Sequence, residues 1–250
     1  MTLSKLITPQ QPLLRGYRYQ NKETNQMVLK KEKRKAVSTN PSSLLLYGAP
    51  KVGKTTMLSS LDDCLIIDTE KGARMIEGYI QEVNSRDELI NILIDIKESK
   101  DVSYKYIAID TIDKIAEWAE HRVCEEEGVR SIADLAFGKG YGLVREKVSK
   151  TVSAFKEAAE YLIIIGHRKV AYAVTEGNPI VVPESLDLTG KLKNVIMAGC
   201  DAIGYVYRDE KEKLMVSFKA NDAIEAGSRC PHLKGQIVKF EWKNIYKEKK

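Results

Sequence analysis

Apolar residues gather into short, separated runs from about residue 44 onward. Leu44–Tyr47 enters a glycine-rich turn, and Leu65–Asp68 (LIID), Tyr106–Asp110 (YIAID) and Leu162–Gly166 (LIIIG) repeat the same form. Short runs without polar alternation predict strands buried on both faces. Between them the period becomes helical. Lys54–Leu61 follows the glycine-rich turn, and Asp87–Lys100 sets Leu89, Ile90, Leu93 and Ile94 on one side. Ile112–Glu127 runs up to Gly128, and a long helix is expected at about 143–160. Strands and helices that alternate in this way predict an α/β fold, a mostly parallel sheet with helices on both faces.

After Gly166 the texture changes. Val170–Thr175 and Ile180–Val182 flank Glu176-Gly177-Asn178-Pro179 and predict a hairpin. Lys191–Ala198 is expected as a short helix. Asp201–Arg208 and Leu214–Lys219 predict a second antiparallel hairpin around the charged turn Asp209–Lys213, and Gln236–Trp242 a last strand. Residues 1–43 are polar and proline-interrupted, with a short strand expected near Met27–Leu29. The expected organisation is an arm over 1–43 and one α/β domain over 44–250 with C-terminal antiparallel hairpins.

Charge changes the picture of the arm. It carries nine Lys or Arg and two acids, a net +7, so the remaining 207 residues hold −2 of the total +5. A basic arm on a near-neutral body either attracts nucleic acid or keeps the chain soluble. No apolar run reaches the roughly 20 residues of a membrane-spanning helix, and Met1–Leu14 lacks the apolar stretch of a secretory signal. The cysteines, Cys64, Cys124, Cys200 and Cys230, are far apart. That spacing argues against a disulfide framework or zinc site and for reduced thiols in the cytoplasm.

The glycine-rich turn carries the chemistry. Gly48-Ala49-Pro50-Lys51-Val52-Gly53-Lys54-Thr55 matches GxxxxGK[ST] between an expected strand and an expected helix, the context that this motif requires. Its backbone N–H groups, with Thr56 in the first helical turn, are expected to cradle the phosphates of ATP. Lys54 is expected to reach the β- and γ-phosphates, and the Thr55 hydroxyl to ligate Mg²⁺. Asp110 ends an apolar strand and is the expected second Mg²⁺ contact. The position after it, where many such proteins carry a catalytic glutamate, is Thr111. Glu70, past the LIID strand, is the replacement candidate: it either orients the attacking water or caps the turn before Gly72. His167 ends the LIIIG strand and either senses the γ-phosphate or is satisfied by local backbone.

Together, GAPKVGKTT, IIDTEKGAR, YIAIDTIDK, LIIIGHRK and LDLTGKLKN, in this order, resemble the phage-type AAA/RecA-like ATPases, among them single-strand annealing proteins related to the RecA and RadA recombinases. The resemblance spans about 43–207. It implies a RecA-like ATPase core and action in DNA recombination, repair or replication in the cytoplasm of a bacterial host. It also implies a homo-oligomer, a ring or short filament, working on single-stranded DNA, alone or with a single-strand-binding protein. The segment Ile66–Glu70 is similar to the stretch that carries the catalytic glutamate in RadA-like recombinases, which supports Glu70 for that role.

By the same resemblance, two loops near 129–142 and 167–190 are placed to bind single strands. The first holds Arg130, Phe137, Lys139 and Tyr141, the second Arg168, Lys169 and Tyr172. Cations with aromatic rings suit sequence-tolerant binding of single strands, although an ordinary surface loop has the same make-up. Lys191 and Lys193 either act on a neighbouring subunit's ATP or form a solvated helix start. Two other readings stay open. One is a nucleotide-gated loader or chaperone of a replication protein; the other is a P-loop kinase, which lacks an evident arginine-rich lid here.

Overall fold

In the computed structural model the described residues are 33–34, 39–99, 103–169 and 184–248, with the strands Tyr172–Thr175 and Asn178–Val181 described in their backbone alone. The chain divides into two compact units, Met1–Ala36 and Val37–Lys250. The expected strand at Met27–Leu29 lies outside the described residues. The second unit starts ahead of the expected domain boundary at residue 44. Its first turns are tied in by polar groups that show no periodicity in sequence: the Asn40 side chain donates to the Lys247 carbonyl, and the Ser42 hydroxyl to Asp201.

The sheet is built around strand β1, Ser43–Gly48, whose six residues are all buried. Its side chains alternate between two cores. Leu45 and Tyr47 face one, and Leu44 and Leu46 face the other. This is the period-two geometry of a strand covered on both sides. Parallel to β1 run β5 (Tyr161–Lys169) on one side and β9 (Ala202–Arg208) on the other. Beyond β5 come β4 (Tyr106–Asp110), β2 (Cys64–Asp68) and β3 (Tyr79–Glu82), also parallel. Beyond β9 come β10 (Leu214–Ser217), antiparallel to β9, and β12 (Ile237–Lys239), antiparallel to β10. Two-residue strands β8 (Ser185–Leu186) and β11 (Gly227–Ser228) pair with β5 and β9, and β6 (Tyr172–Thr175) with β7 (Asn178–Val181) forms a separate hairpin. The expected class therefore holds: a mostly parallel sheet between helices, with antiparallel strands toward the C-terminus.

One face is covered by α2 (Arg86–Glu98), α3 (Ile112–Glu127), α4 (Lys139–Ala158) and α5 (Lys191–Gly199). In α3 the buried Ile112, Ile115, Ala119 and Val123 keep helical spacing, and Gly128 ends the helix at φ 66°, a left-handed conformation that glycine adopts without strain. The other face is covered by α1 (Lys54–Leu58) and by Cys230, Leu233, Phe240 and α6 (Trp242–Ile245). The Trp242 indole donates to the Met57 carbonyl at 2.7 Å and so ties the end of the chain to α1. Truncating a buried core leucine such as Leu45 costs about 2–5 kcal/mol in comparable cores.

Two expectations fail here. The segment 129–142 is not a plain loop. It holds 3₁₀ turns at Ile132–Asp134 and Ala136–Gly138, and α4 begins at Lys139. A capping box explains the first turn, with Ser131 accepting from Ala133 N and Asp134 from Ser131 N. The expected strand Gln236–Trp242 stops at Lys239, because the burial of Phe240, Trp242 and Ile245 favours a turn into α6.

Strand order positions the site. β5 lies between the strand that feeds the glycine-rich loop and the strand that ends in Asp110. The register then brings the C-terminal ends together: Gly48 pairs with His167, Ile165 with Asp110, and Asp110 with Asp68. Crevices at the C-terminal ends of parallel strands are where open α/β sheets bind ligands.

Candidate nucleotide site

The loop from β1 into α1 is shaped by two glycines. A Cβ on Gly48 would lie 2.3 Å from the Val206 carbonyl oxygen, so β9 leaves no room for a side chain there. Gly53 has φ 118°, a conformation that L side chains rarely adopt. Lys54 is 6% exposed. Its ammonium donates to the carbonyls of Gly48 at 3.0 Å and Ala49 at 2.9 Å. Burial lowers its pKa, and Asp110, Asp113 and Glu70 oppose that fall. A buried cation on a loop of this shape suits a polyphosphate, whose oxygens can replace the two carbonyls.

Thr55 Oγ1 donates to Asp110 Oδ2 at 2.6 Å. The Asp110 carboxyl is pushed up to about 6, first by burial, with Asp68 and Glu70 adding to the rise and Thr55 and Lys54 opposing it. A desolvated carboxylate beside a hydroxyl is a donor set for a hard divalent cation. Mg²⁺ is typically held by one or two protein oxygens together with phosphate oxygens, and Thr55 with Asp110 fits that pattern.

Three side chains complete the rim. Asp68 accepts from the backbone N–H groups of Glu70, Gly72 and Ala73. The turn before Gly72 is thus capped by Asp68, which leaves the Glu70 carboxylate directed elsewhere. Glu70 Oε1 accepts from the Thr111 hydroxyl at 3.0 Å. Thr111 is held in turn by Thr69, whose hydroxyl accepts from Thr111 N at 2.8 Å and donates to the Asp110 carbonyl. The Asp110–Thr111 peptide is cis. His167 Nε2 lies 3.9 Å from Glu70 Oε2, and its Nδ1 lies 3.3 Å from Asp113 Oδ2. The hydrogen bond to Asp113 raises the His167 pKa, and burial opposes the rise. His167 is therefore partnered by a carboxylate rather than by local backbone alone.

Asp68, Thr69, Thr111 and Asp113 did not stand out in the sequence as site residues. A threonine after the strand acid has no chemical signature, and an acid in a first helical turn is ordinarily explained by the helix N-terminus.

The other candidates lie farther out. Gly138 and Phe137, the latter fully exposed with φ 55°, border a groove of about 730 Å³ with Tyr141, Arg145, Asp113 and Lys191. Tyr141 and Lys191, expected in separate roles, thus meet at one surface. Arg130 and Lys169 are exposed. Three other cations are engaged within the chain. Lys139 pairs with Glu127 at 2.5 Å and Lys193 with Glu225 at 2.8 Å; Arg168 pairs with Glu184 and also reaches the Tyr205 hydroxyl. The Tyr172 side chain lies outside the described residues.

A buried lysine and a hydroxyl–carboxylate pair at the C-terminal edge of a parallel sheet define a P-loop nucleotide-binding core. The chain belongs to the AAA-domain family, whose profile matches residues 40–230. No sequence among the curated proteins matches it. Among solved structures, it is similar to a crystal structure of the RadB recombinase, at 15% identity and a TM-score of 0.46, over 82% of this chain and 90% of that one.

Proposed function

We propose that this chain binds ATP with Mg²⁺ and hydrolyses it, and that turnover is coupled to single-stranded DNA in recombination, repair or replication. The observation that carries the hydrolysis reading is the meeting of Thr55, in the first turn of α1, with Asp110 and Glu70 at the adjacent ends of β4 and β2, with Glu70 held by Thr111. Lys54 exchanges its loop carbonyls for the β- and γ-phosphate oxygens. Thr55 and Asp110 would hold Mg²⁺, which would supply a positive charge to the transferred phosphoryl group. Glu70 accepts a hydrogen bond from water and orients it in line with the γ-phosphorus. His167 approaches from β5 on the same side and presents an N–H group to the γ-phosphate.

The DNA half of the reading is supported by the motif series and by exposed Arg130, Phe137 and Tyr141. The intrachain pairing of Lys139, Arg168 and Lys193 favours a second reading, a nucleotide-gated loader or chaperone of another replication protein. ATP turnover measured with and without single-stranded DNA separates the two. Stimulation by DNA supports the first. Slow turnover that DNA leaves unchanged, together with ATP-dependent capture of a protein partner, supports the second.

A further inference from the structure

Asp113 lies within the YIAIDTIDK segment, but nothing in that segment gives it a role of its own. It sits in the first turn of α3, and the helix N-terminus alone would justify an acid there. Its surroundings give it a more specific part. Oδ2 accepts from the backbone N of His167 at 3.1 Å and lies 3.3 Å from the ring Nδ1. Oδ1 is buried and has no hydrogen-bond partner among the described residues. A carboxylate with one buried, unpartnered oxygen gains from a neighbouring positive charge. The His167 ring carries its second nitrogen on the far side, 3.9 Å from Glu70 Oε2.

We propose that Asp113 is a positioning residue that fixes the His167 ring, taking the Nδ1–H on its carboxylate and aiming Nε2–H past Glu70 toward the transferred phosphate. This rests on the hydrolysis reading above. A hydrogen bond at one ring nitrogen sets both the tautomer and the orientation of the other. The consequence is a cation supplied from within the chain, where related phosphoryl-transfer sites take one from a partner. The charged groups facing His167 are Asp113 on α3, Glu70 after β2 and Lys54 on α1. The two carboxylates favour the protonated ring and Lys54 opposes it; the balance is a raised pKa, so the ring stays charged to higher pH than an exposed histidine.

The test uses the full-length chain and the variants Asp113→Asn, Asp113→Glu and His167→Gln. The sequence holds three histidines, so ring resonances in the nucleotide-free protein are assigned by the loss of one in His167→Gln. In Asp113→Asn the titration midpoint of His167 is expected to move to lower pH, with partial recovery in Asp113→Glu. The alkaline limb of the kcat profile is expected to move the same way, with kcat down about tenfold or more and the KM for ATP within about twofold. A His167 midpoint unmoved in Asp113→Asn overturns the proposal. So does a moved midpoint with an unmoved kcat profile. If Asp113→Asn does not fold, Asp113→Glu is read in the same way, its smaller displacement of the carboxylate giving a smaller shift in the same direction. A parent chain without any turnover defeats the hydrolysis reading instead, and the titration then decides the Asp113–His167 link by itself.

Discussion

Thr111 stands where a catalytic glutamate is common, and its hydroxyl donates to the carboxylate of Glu70, 3.0 Å away across the strand ends. In the proposed hydrolysis reading Glu70, just past β2, takes that acid's part, and the residue at the usual place holds its carboxylate. Glu70→Gln is therefore expected to keep ATP affinity within a few-fold and to lower kcat by about 10²-fold or more. Thr111→Val is expected to lower kcat by about tenfold, and Thr111→Ser to restore most of it. Steady-state turnover with nucleotide binding measured in parallel checks both. Parental turnover by Glu70→Gln would place the water-orienting group elsewhere.

Lys54 is buried, and its ammonium donates to the loop carbonyls of Gly48 and Ala49. Lys54→Ala is expected to abolish turnover and to weaken ATP binding by about 10²-fold, since charge-assisted contacts to the phosphates contribute about 1.5–3 kcal/mol each. Calorimetric titration with a non-hydrolysable ATP analogue measures the loss. Near-normal binding would refute the site.

Burial raises the Asp110 carboxyl to about 6. The folded chain then holds this proton more tightly than the unfolded chain does. The folded state accordingly loses stability as pH rises from about 4 to about 6, and the loss is complete above that. In metal-free buffer, Asp110→Asn is expected to stabilise the chain at pH 7.5 by at most about 3 kcal/mol, an advantage that shrinks toward zero near pH 4. Urea unfolding at the two pH values checks the sign. A variant less stable than the parent at pH 7.5 contradicts it.

Lys191 is exposed at the groove, while Lys193 pairs with Glu225, which also accepts from Ser185. If ATP is completed by a neighbouring subunit, exposed Lys191 rather than paired Lys193 is the candidate to act there. Lys191→Ala is expected to lower turnover without loss of stability, and to rescue a Lys54→Ala subunit in mixed assemblies. Lys193→Ala is expected instead to cost about 1 kcal/mol or less in stability, the usual scale of a partly exposed pair. Co-assembled mixtures that show no rescue would remove Lys191 from this role.

DNA binding, if the proposed coupling holds, is expected to prefer single strands and to weaken with salt as phosphate contacts release counterions. Deleting residues 1–35 is expected to flatten the salt slope and leave ATP turnover intact. Fluorescence anisotropy across a salt series reads the slope directly; an unchanged slope would take the arm off the DNA.

The sequence by itself determined the parallel core, because runs such as YIAID and LIIIG are buried on both faces and leave no other pattern open. It also determined the loop around Lys54 and Thr55, whose chemistry is local: the glycines, the lysine and the hydroxyl lie within eight residues. Only the tertiary structure decided how the rest of the site is held. Thr111 reaches Glu70 because β2 lies beside β4, and Asp113 reaches His167 because β4 lies beside β5, with the strand ends in register. Strand order and register are set by packing between segments far apart in the chain, and periodicity within any one segment carries no trace of them. The same reason hid the intrachain partners of Lys139, Arg168 and Lys193: a cation in sequence has no visible partner until the fold brings one within reach.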